Sequence, residues 1–436
     1  MTLNAKRRRV HDKLAALPGV RPVRRPVTPS ASEHFDLFYV RTGRKSAHPL
    51  VIIPGGPGVA SVQMYRGLRR RAAAEGLDVI MIEHRGVGMS RHDDSGADLP
   101  AAALTIDQVV DDVAAVLDDA QVDKAVIYGT SYGTYIAAGI GVRHPGRVQA
   151  MILDSPLLSN RDIEAVREAI RGLLLNGDDP ETAELAPKVR RLVDDGVLTP
   201  AAGQLAAAVY GYGGAQLLDR QLNLLLRGRT WLWTGLGRLG KLAIRKAPYR
   251  NEVDLVGRIG FRELNYAGEP DGLPLDPSEA IREFLSDATG FEAEPYDLIA
   301  EMPKFDWPTV LVSGSRDLTT PPAVAERVAS LIPDAVLVRL PTTAHSALDT
   351  HERAALAIAK AVQHGDIEGL PARARALDAL PGRAGLRLLV SAIAAAAAVE
   401  GALPAVVQRV VRAPLLHEAD GGVVQVGQPR RAEVGQ

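Results

Sequence analysis

Between Phe35 and Leu153 short apolar runs alternate with segments of helical period, and this alternation constrains the fold more than any other feature of the chain. Phe35 to Val40, Leu50 to Ile53, Val79 to Ile82, Ala125 to Tyr128 and Val148 to Leu153 are short and rich in branched or aromatic side chains, which predicts strands. Between the third and fourth runs, Thr105 and Gln108 precede Val109, Val110, Val113, Ala114 and Leu117, the pattern of a helix with Thr105 at its N-cap. Strands separated by helices fold as a mostly parallel sheet flanked by helices. After Pro156 the period turns helical, as in Ile163, Val166, Ile170 and Leu173, and strand-like runs return at Val310 to Ser313 and Ala335 to Leu340. The chain thus reads as one α/β core, residues 31–160 and 301–365, interrupted by a helical cap over 161–300.

The ends read differently. Residues 1–30 are basic and broken by Pro18, Pro22, Pro26 and Pro29, which predicts an extended basic arm with Arg24 and Arg25 in solvent. Residues 366–436 form an Ala- and Arg-rich extension in which Pro371, Pro381, Pro404 and Pro414 limit helix length, and the polar tail from Gly421 is expected to be disordered. Its apolar stretch Leu388 to Val399 is bracketed by Arg387 and Glu400 and falls short of the roughly 20 residues that a membrane span needs. It reads as a packing helix, with a helix lying on a membrane surface as the alternative.

Composition removes several functions. Lys and Arg total 51 against 52 Asp and Glu, a net charge of −1, so the balance is wrong for a strongly basic nucleic-acid binder. Cysteine is absent, which excludes disulfides, thiolate zinc sites and a cysteine nucleophile. Histidine and carboxylate clusters at ligand spacing do not occur, so neither a metal nor another cofactor is expected. The basic N-terminus lacks a following apolar segment and cleavage site, so a cytoplasmic protein is expected, with a small molecule or short peptide as its partner.

The chemistry concentrates in Lys124-Ala-Val-Ile-Tyr-Gly129-Thr-Ser131-Tyr-Gly133-Thr134. A strand runs into Gly129, and a helix with small residues at Gly133, Ala137, Ala138 and Gly141 leaves it, the strand–turn–helix context of a G-x-S-x-G nucleophile elbow. A serine on so tight a turn needs glycine two positions before and after it, and the helix that starts there aims free N–H groups at developing negative charge. With 41 glycines in 436 residues, the motif is expected by chance only about 0.14 times. Serine is a weak nucleophile without a base and an orienting acid, which follow it in the chain order Ser, Asp or Glu, His. Asp317 ends the strand-like segment Val310 to Gly314, and His345 follows the strand Ala335 to Leu340, so the two occupy matching loops. His351 is the rival base and Asp154 the rival acid; His84, His92 and His144 read as surface or packing residues. The glycine-rich Pro54-Gly-Gly56-Pro-Gly58 follows a strand and lacks a GK[ST], so its N–H groups suit half of an oxyanion hole, with Tyr132 N–H as the other half.

Together these residues resemble the proline iminopeptidase and tripeptidyl aminopeptidase branch of the α/β-hydrolase fold. The resemblance rests on Pro54-Gly-Gly-Pro-Gly58, Glu83-His-Arg-Gly-Val-Gly-Met-Ser90, Gly129-Thr-Ser-Tyr-Gly133, Gly314-Ser-Arg-Asp317 and His345, and covers roughly residues 34–160 and 305–365. It implies Ser131 as nucleophile, His345 as base, Asp317 as its partner, the N–H groups of Gly56 and Tyr132 as the oxyanion hole, and a helical cap where the insertion falls. Two positions depart from the branch: Pro54 stands where it has His, and Glu83 where it has Asp. An aminopeptidase needs cap carboxylates for the substrate ammonium; Glu252, Asp254 and Glu263 are available, though no motif assigns them. The implied activity is amide hydrolysis through an acyl-enzyme, with a carboxylesterase or a non-catalytic scaffold as rivals.

Overall fold

The computed structural model describes residues 3–243, 247–284 and 290–403. Eight strands form one sheet: β1 Val20–Pro26, β2 His34–Thr42, β3 Leu50–Ile53, β4 Val79–Ile82, β5 Ala125–Thr130, β6 Val148–Asp154, β7 Thr309–Gly314 and β8 Ala335–Leu340. Their spatial order is β1-β2-β4-β3-β5-β6-β7-β8. The pairs from β4 through β8 are parallel, while β1 with β2 and β2 with β4 are antiparallel. Every residue of β3 and of β5 is buried, as continuous apolar runs require when both sheet faces are covered. Alternate side chains pack opposite ways: Val51, Ile53, Ile80 and Ile127 meet the helices Ile106–Asp119 and Tyr132–Arg143, whereas Leu50, Ile52, Val79 and Val126 meet Arg66–Ala74 and Glu352–Gln363. The Thr105 hydroxyl caps the first of these helices by accepting from Gln108 N at 3.2 Å.

After β3 the chain adds β4 on one side, then crosses to place β5 on the other. The carboxyl ends of β3 and β5 therefore meet at a topological switch point, where ligands bind in open parallel sheets. Residues 162–284 contribute helices, among them Asp162–Arg171, Pro200–Leu226, Trp231–Ala243 and Val253–Leu264. These pack around a core of their own that includes Ile170, Val189, Leu192, Tyr210, Leu218 and Leu222, and Leu318 from the loop after β7 joins it.

The N-terminal reading needs correction: residues 1–30 are not an extended arm. A helix, Leu3–Ala15, precedes β1, and β1 pairs with β2 from Val20↔Val40 to Pro26↔His34. Pro22 and Pro26 are tolerated because this is an edge strand, whose outward N–H groups need no partner. Nor is Arg25 simply solvated. It donates to Asp112 at 2.8 Å, and the same buried carboxylate takes two bonds from the fully buried Arg85 guanidinium, at 2.6 and 2.7 Å. The strand is fastened by its pairing with β2, by Val20 and Val23 against the cores, and by the Arg25 ion pair, rather than by a continuous apolar face.

The C-terminal stretch Leu388 to Val399 lies in the helix Ala384–Ala402, which packs along one side through Val390, Ile393, Ala394 and Ala397, while Leu388 is 71% exposed and Val399 56%. The tail from Gly421 lies outside the described residues.

Asp112 carries a testable consequence. Removing the carboxylate leaves the Arg85 guanidinium buried and unpaired, so Asp112→Ala should lower the unfolding free energy by about 3–5 kcal/mol. Arg25→Ala, at a partly exposed site, should cost about 1 kcal/mol or less. Urea unfolding distinguishes the two; equal losses would mean that the buried pair is not what holds this corner.

Candidate active site

A single residue separates the end of β5 from the helix Tyr132–Arg143, and Ser131 occupies it with φ +51° and ψ −124°. That conformation is strained for a residue with a side chain and persists only where the surroundings fix it. Two close approaches do so. A Cβ on Gly133 would lie 2.1 Å from the Ile53 carbonyl oxygen, and one on Gly129 would lie 2.2 Å from the Gly133 carbonyl oxygen. The turn can therefore be this tight only with glycine at both positions. The register Ile53↔Gly129 then carries the Pro54–Gly58 loop past the serine, close enough that a Cβ on Gly55 would sit 3.0 Å from Ser131 Cβ.

The imidazole of His345 arrives on the loop after β8, where Nδ1 lies 2.9 Å from Asp317 Oδ2. Asp317 is buried and also accepts from Thr319 N, Thr320 N and the Thr320 hydroxyl, at 2.8, 2.9 and 2.9 Å. Burial alone would raise its pKa, but the His345 charge and these donors outweigh it and hold the carboxyl below its ordinary value. For His345, burial pulls the pKa down and Asp317 more than restores it, so the net shift is upward. With Nδ1 donating to the carboxylate, Nε2 is left as the basic nitrogen.

The loop that presents His345 is held from below. Asp154, the rival acid, accepts the N–H groups of Ala347 and Leu348 at 3.0 and 2.8 Å and the Tyr128 hydroxyl at 3.0 Å, and so anchors the turn beyond the histidine. Ser346 N donates to Ser155 Oγ, and Thr130 Oγ1 donates to Ser346 Oγ. From the C-terminal extension, Asp378 accepts Thr342 N, the Thr342 hydroxyl and the Thr343 hydroxyl at 2.9, 2.9 and 2.8 Å. No motif marks Asp378; the sequence signal is only an isolated carboxylate between Pro371 and Pro381.

The other histidines have separate uses. His351 contacts Thr350 Oγ1 and stands over Gly382, His92 pairs with Asp98, and His144 pairs with Asp111. His84 is held between the Arg85 carbonyl and the Tyr132 hydroxyl. Glu83, the departure from the branch pattern, is buried and accepts Val62 N and Met89 N, bracing the loop beside the glycine turn. Burial pushes its pKa up to about 7.

Ser131, His345 and Gly56 line one cavity of about 430 Å3 under the inserted helices. Tyr132 is the first residue of its helix, and Gly56 takes φ +123° in the loop opposite. No hydrogen bond joins Ser131 Oγ to the imidazole among the described residues; such contacts tighten when substrate binds. The walls include Leu157, Ile163, Val166, Leu264 and Ile281, and one carboxylate, Asp162. The three acids singled out in the sequence lie elsewhere: Glu252 pairs with Arg7, Asp254 with Arg91, and Glu263 with Arg262 and Ile106 N. Asp162 went unnoticed because it reads as an ordinary acid in a first helical turn. Among the described residues, no group of three or more His, Asp or Glu is placed to hold a metal.

The family match falls on the first part of the core and the start of the insertion. The family model described as "alpha/beta hydrolase fold" matches residues 48–187. A probable proline iminopeptidase of Streptomyces coelicolor is 23% identical over 155 residues, 35% of this chain and 47% of the relative. The proline iminopeptidase of Arabidopsis thaliana is 24% identical over 164 residues, 37% and 40%. A 2-hydroxymuconate semialdehyde hydrolase of Pseudomonas sp. is 32% identical over 148 residues, 34% and 46%. The matched region thus spans less than half the length of these curated relatives. The crystal structure of a Mycobacterium smegmatis proline iminopeptidase aligns with 80% of this chain and 99% of its own at 18% identity, with a TM-score of 0.49. By its sheet and by the matched family model, the chain has the α/β-hydrolase fold, and it resembles the proline iminopeptidase branch of that fold.

Proposed function

We propose that the protein is a serine hydrolase that cleaves an amide or ester through an acyl-enzyme, and that it acts as an aminopeptidase of the proline iminopeptidase kind. The observation that carries the first part is the strained turn at Ser131 facing, across one cavity, an imidazole already oriented by a buried carboxylate. In this reading Ser131 Oγ attacks the substrate carbonyl carbon while His345 Nε2 takes its proton, and Asp317 fixes the tautomer and stabilises the imidazolium. The N–H groups of Gly56 and Tyr132 receive the oxyanion. The imidazolium then protonates the leaving amine or alcohol, and water, deprotonated by His345, releases the acyl group from Ser131.

Support for the aminopeptidase part comes from the two proline iminopeptidase relatives and from Asp162. Its carboxylate lines the cavity and accepts Leu158 N and Ser159 N at 2.7 and 3.1 Å, and burial pushes its pKa up to about 6. A substrate ammonium beside it would return it to the ordinary range, which is a favourable interaction for an N-terminal residue. The second reading, a carboxylesterase, is favoured by the apolar side chains Leu157, Ile163, Val166, Leu264 and Ile281 in the walls.

Three outcomes are expected. A fluorophosphonate probe should label the protein and not Ser131→Ala, whose turnover should fall by about a millionfold; a folded wild type that is not labelled would mean a scaffold without catalysis. On a neutral ester, kcat/KM should fall as pH drops through a value above 6.5, because the base works only when unprotonated and Asp317 raises its pKa; an acid limb centred below pH 6 would remove His345 from the base role. Alanyl- and prolyl-arylamides should be cleaved, and Asp162→Asn should raise their KM by about 10- to 100-fold while leaving ester KM unchanged. Activity confined to short acyl esters would end the aminopeptidase reading.

A further inference from the structure

We infer that the helix Ala384–Ala402, with its neighbour Trp231–Ala243, docks the protein on an anionic lipid surface, lying along that surface. The C-terminal helix is apolar on both sides. Its inner stripe, Val390, Ile393, Ala394 and Ala397, packs on the cores of the inserted helices. Its outer stripe, Leu388, Ala392, Ala395 and Val399, follows the same helical spacing and is open to solvent. Over an 18-residue stretch of the helix the mean hydropathy is 1.5, and 11% of that stretch is buried. A helix that is hydrophobic all round calls for cover on all sides. The neighbouring helix Trp231–Ala243, which contacts it, exposes Leu239 at 47%.

Charge identifies the cover. Arg387 and Arg238 are exposed on the two helices, and Arg227 is exposed on the turn leading into the second. Trp231–Ala243 contains no acid, and Glu400, the sole acid of the C-terminal helix, is buried and accepts the N–H groups of Trp231 and Leu232 at 3.1 and 3.2 Å. The exposed described residues of these two helices therefore include leucine, valine and arginine and no carboxylate, which matches anionic headgroups above an acyl layer. Two copies of this face would set arginines against arginines, which disfavours self-association. The sequence continues in kind, since from Arg383 to Leu416 it carries Arg383, Arg387, Arg409 and Arg412 against the one acid Glu400. The contacts to the inserted helices fix the orientation: a helix with one side and its Glu400 committed to a folded body lies in the interface and does not cross it.

The test is flotation of the full chain with vesicles of phosphatidylcholine alone or with about 30 mol% phosphatidylglycerol. Binding is expected to the anionic vesicles only and to weaken in high salt. Leu388→Glu with Val399→Glu, both at exposed positions, should lower the partition coefficient at least about tenfold while thermal stability and hydrolysis of a soluble substrate stay unchanged. Arg238→Glu with Arg387→Glu should lower it without altering stability. Failure to bind anionic vesicles, or undiminished binding by the leucine and valine variant, would overturn the inference. So would a dimer in solution that this variant dissolves, which would assign the face to a second copy, or retention in the membrane after alkaline carbonate extraction, which would mean a span.

Discussion

The contact on which the rest of the site depends is a glycine pressed against a carbonyl. Gly133 lies so close to Ile53 O that no larger residue fits, and that approach exists because β3 and β5 are adjacent with Ile53 opposite Gly129. It draws the elbow helix over the end of β3 and brings the Pro54–Gly58 loop level with the serine. It also uses the switch point of the sheet: only where neighbouring strands lead their chains apart does a parallel sheet leave a crevice at its carboxyl end. The strained φ at Ser131 is the local cost of that geometry, offset by the packing of two buried strands and the helix above them.

The imidazole reaches the same crevice by a different device. Besides the buried Ala344, Ala347 and Leu348, polar groups from four parts of the chain bind its loop: Thr130 at the end of β5, Asp154 and Ser155 at the end of β6, Asp317 after β7, and Asp378 from beyond β8. Most of these bonds go to backbone N–H groups or to hydroxyls on either side of His345, so position is imposed on the backbone and the ring is left to one carboxylate. The short segment around Asp378 thereby belongs to the site's support, although it lies after the last strand of the sheet.

How much of this was legible in the sequence depends on whether the signal is local. The elbow glycines, the Thr105 cap and seven of the eight strands are written in residues near one another, through periodicity and through glycine where no side chain fits. The order Ser131, Asp317, His345 could be read because each acid or histidine follows an apolar strand. β1 could not, because Arg25 finds Asp112 only across 87 positions, and a run of arginines and prolines resembles a solvated arm until its partners are in view. Asp162 and Asp378 were hidden for the same reason: an isolated acid has no pattern, and only folding reveals which wall or loop it faces. The C-terminal helix is legible as a packing helix, but its packing on one side only is not, since apolar composition records a need for cover without naming what supplies it.

Two buried carboxylates show how the fold separates support from chemistry. Asp154 and Asp317 are both enclosed, and each accepts two backbone N–H groups and at least one hydroxyl. Burial nevertheless pushes Asp154 up to about 6, whereas Asp317 stays below its ordinary value. Neutral donors offset part of the desolvation in both cases; the imidazole beside Asp317 supplies the rest, because it alone of these neighbours can carry a positive charge. Asp154 can therefore gain a proton in mild acid and still accept from Ala347 and Leu348, as a loop anchor must. Asp317, held below its ordinary value, is an anion over the range in which His345 titrates, and that is the condition under which the ring can take up a proton without losing its orientation.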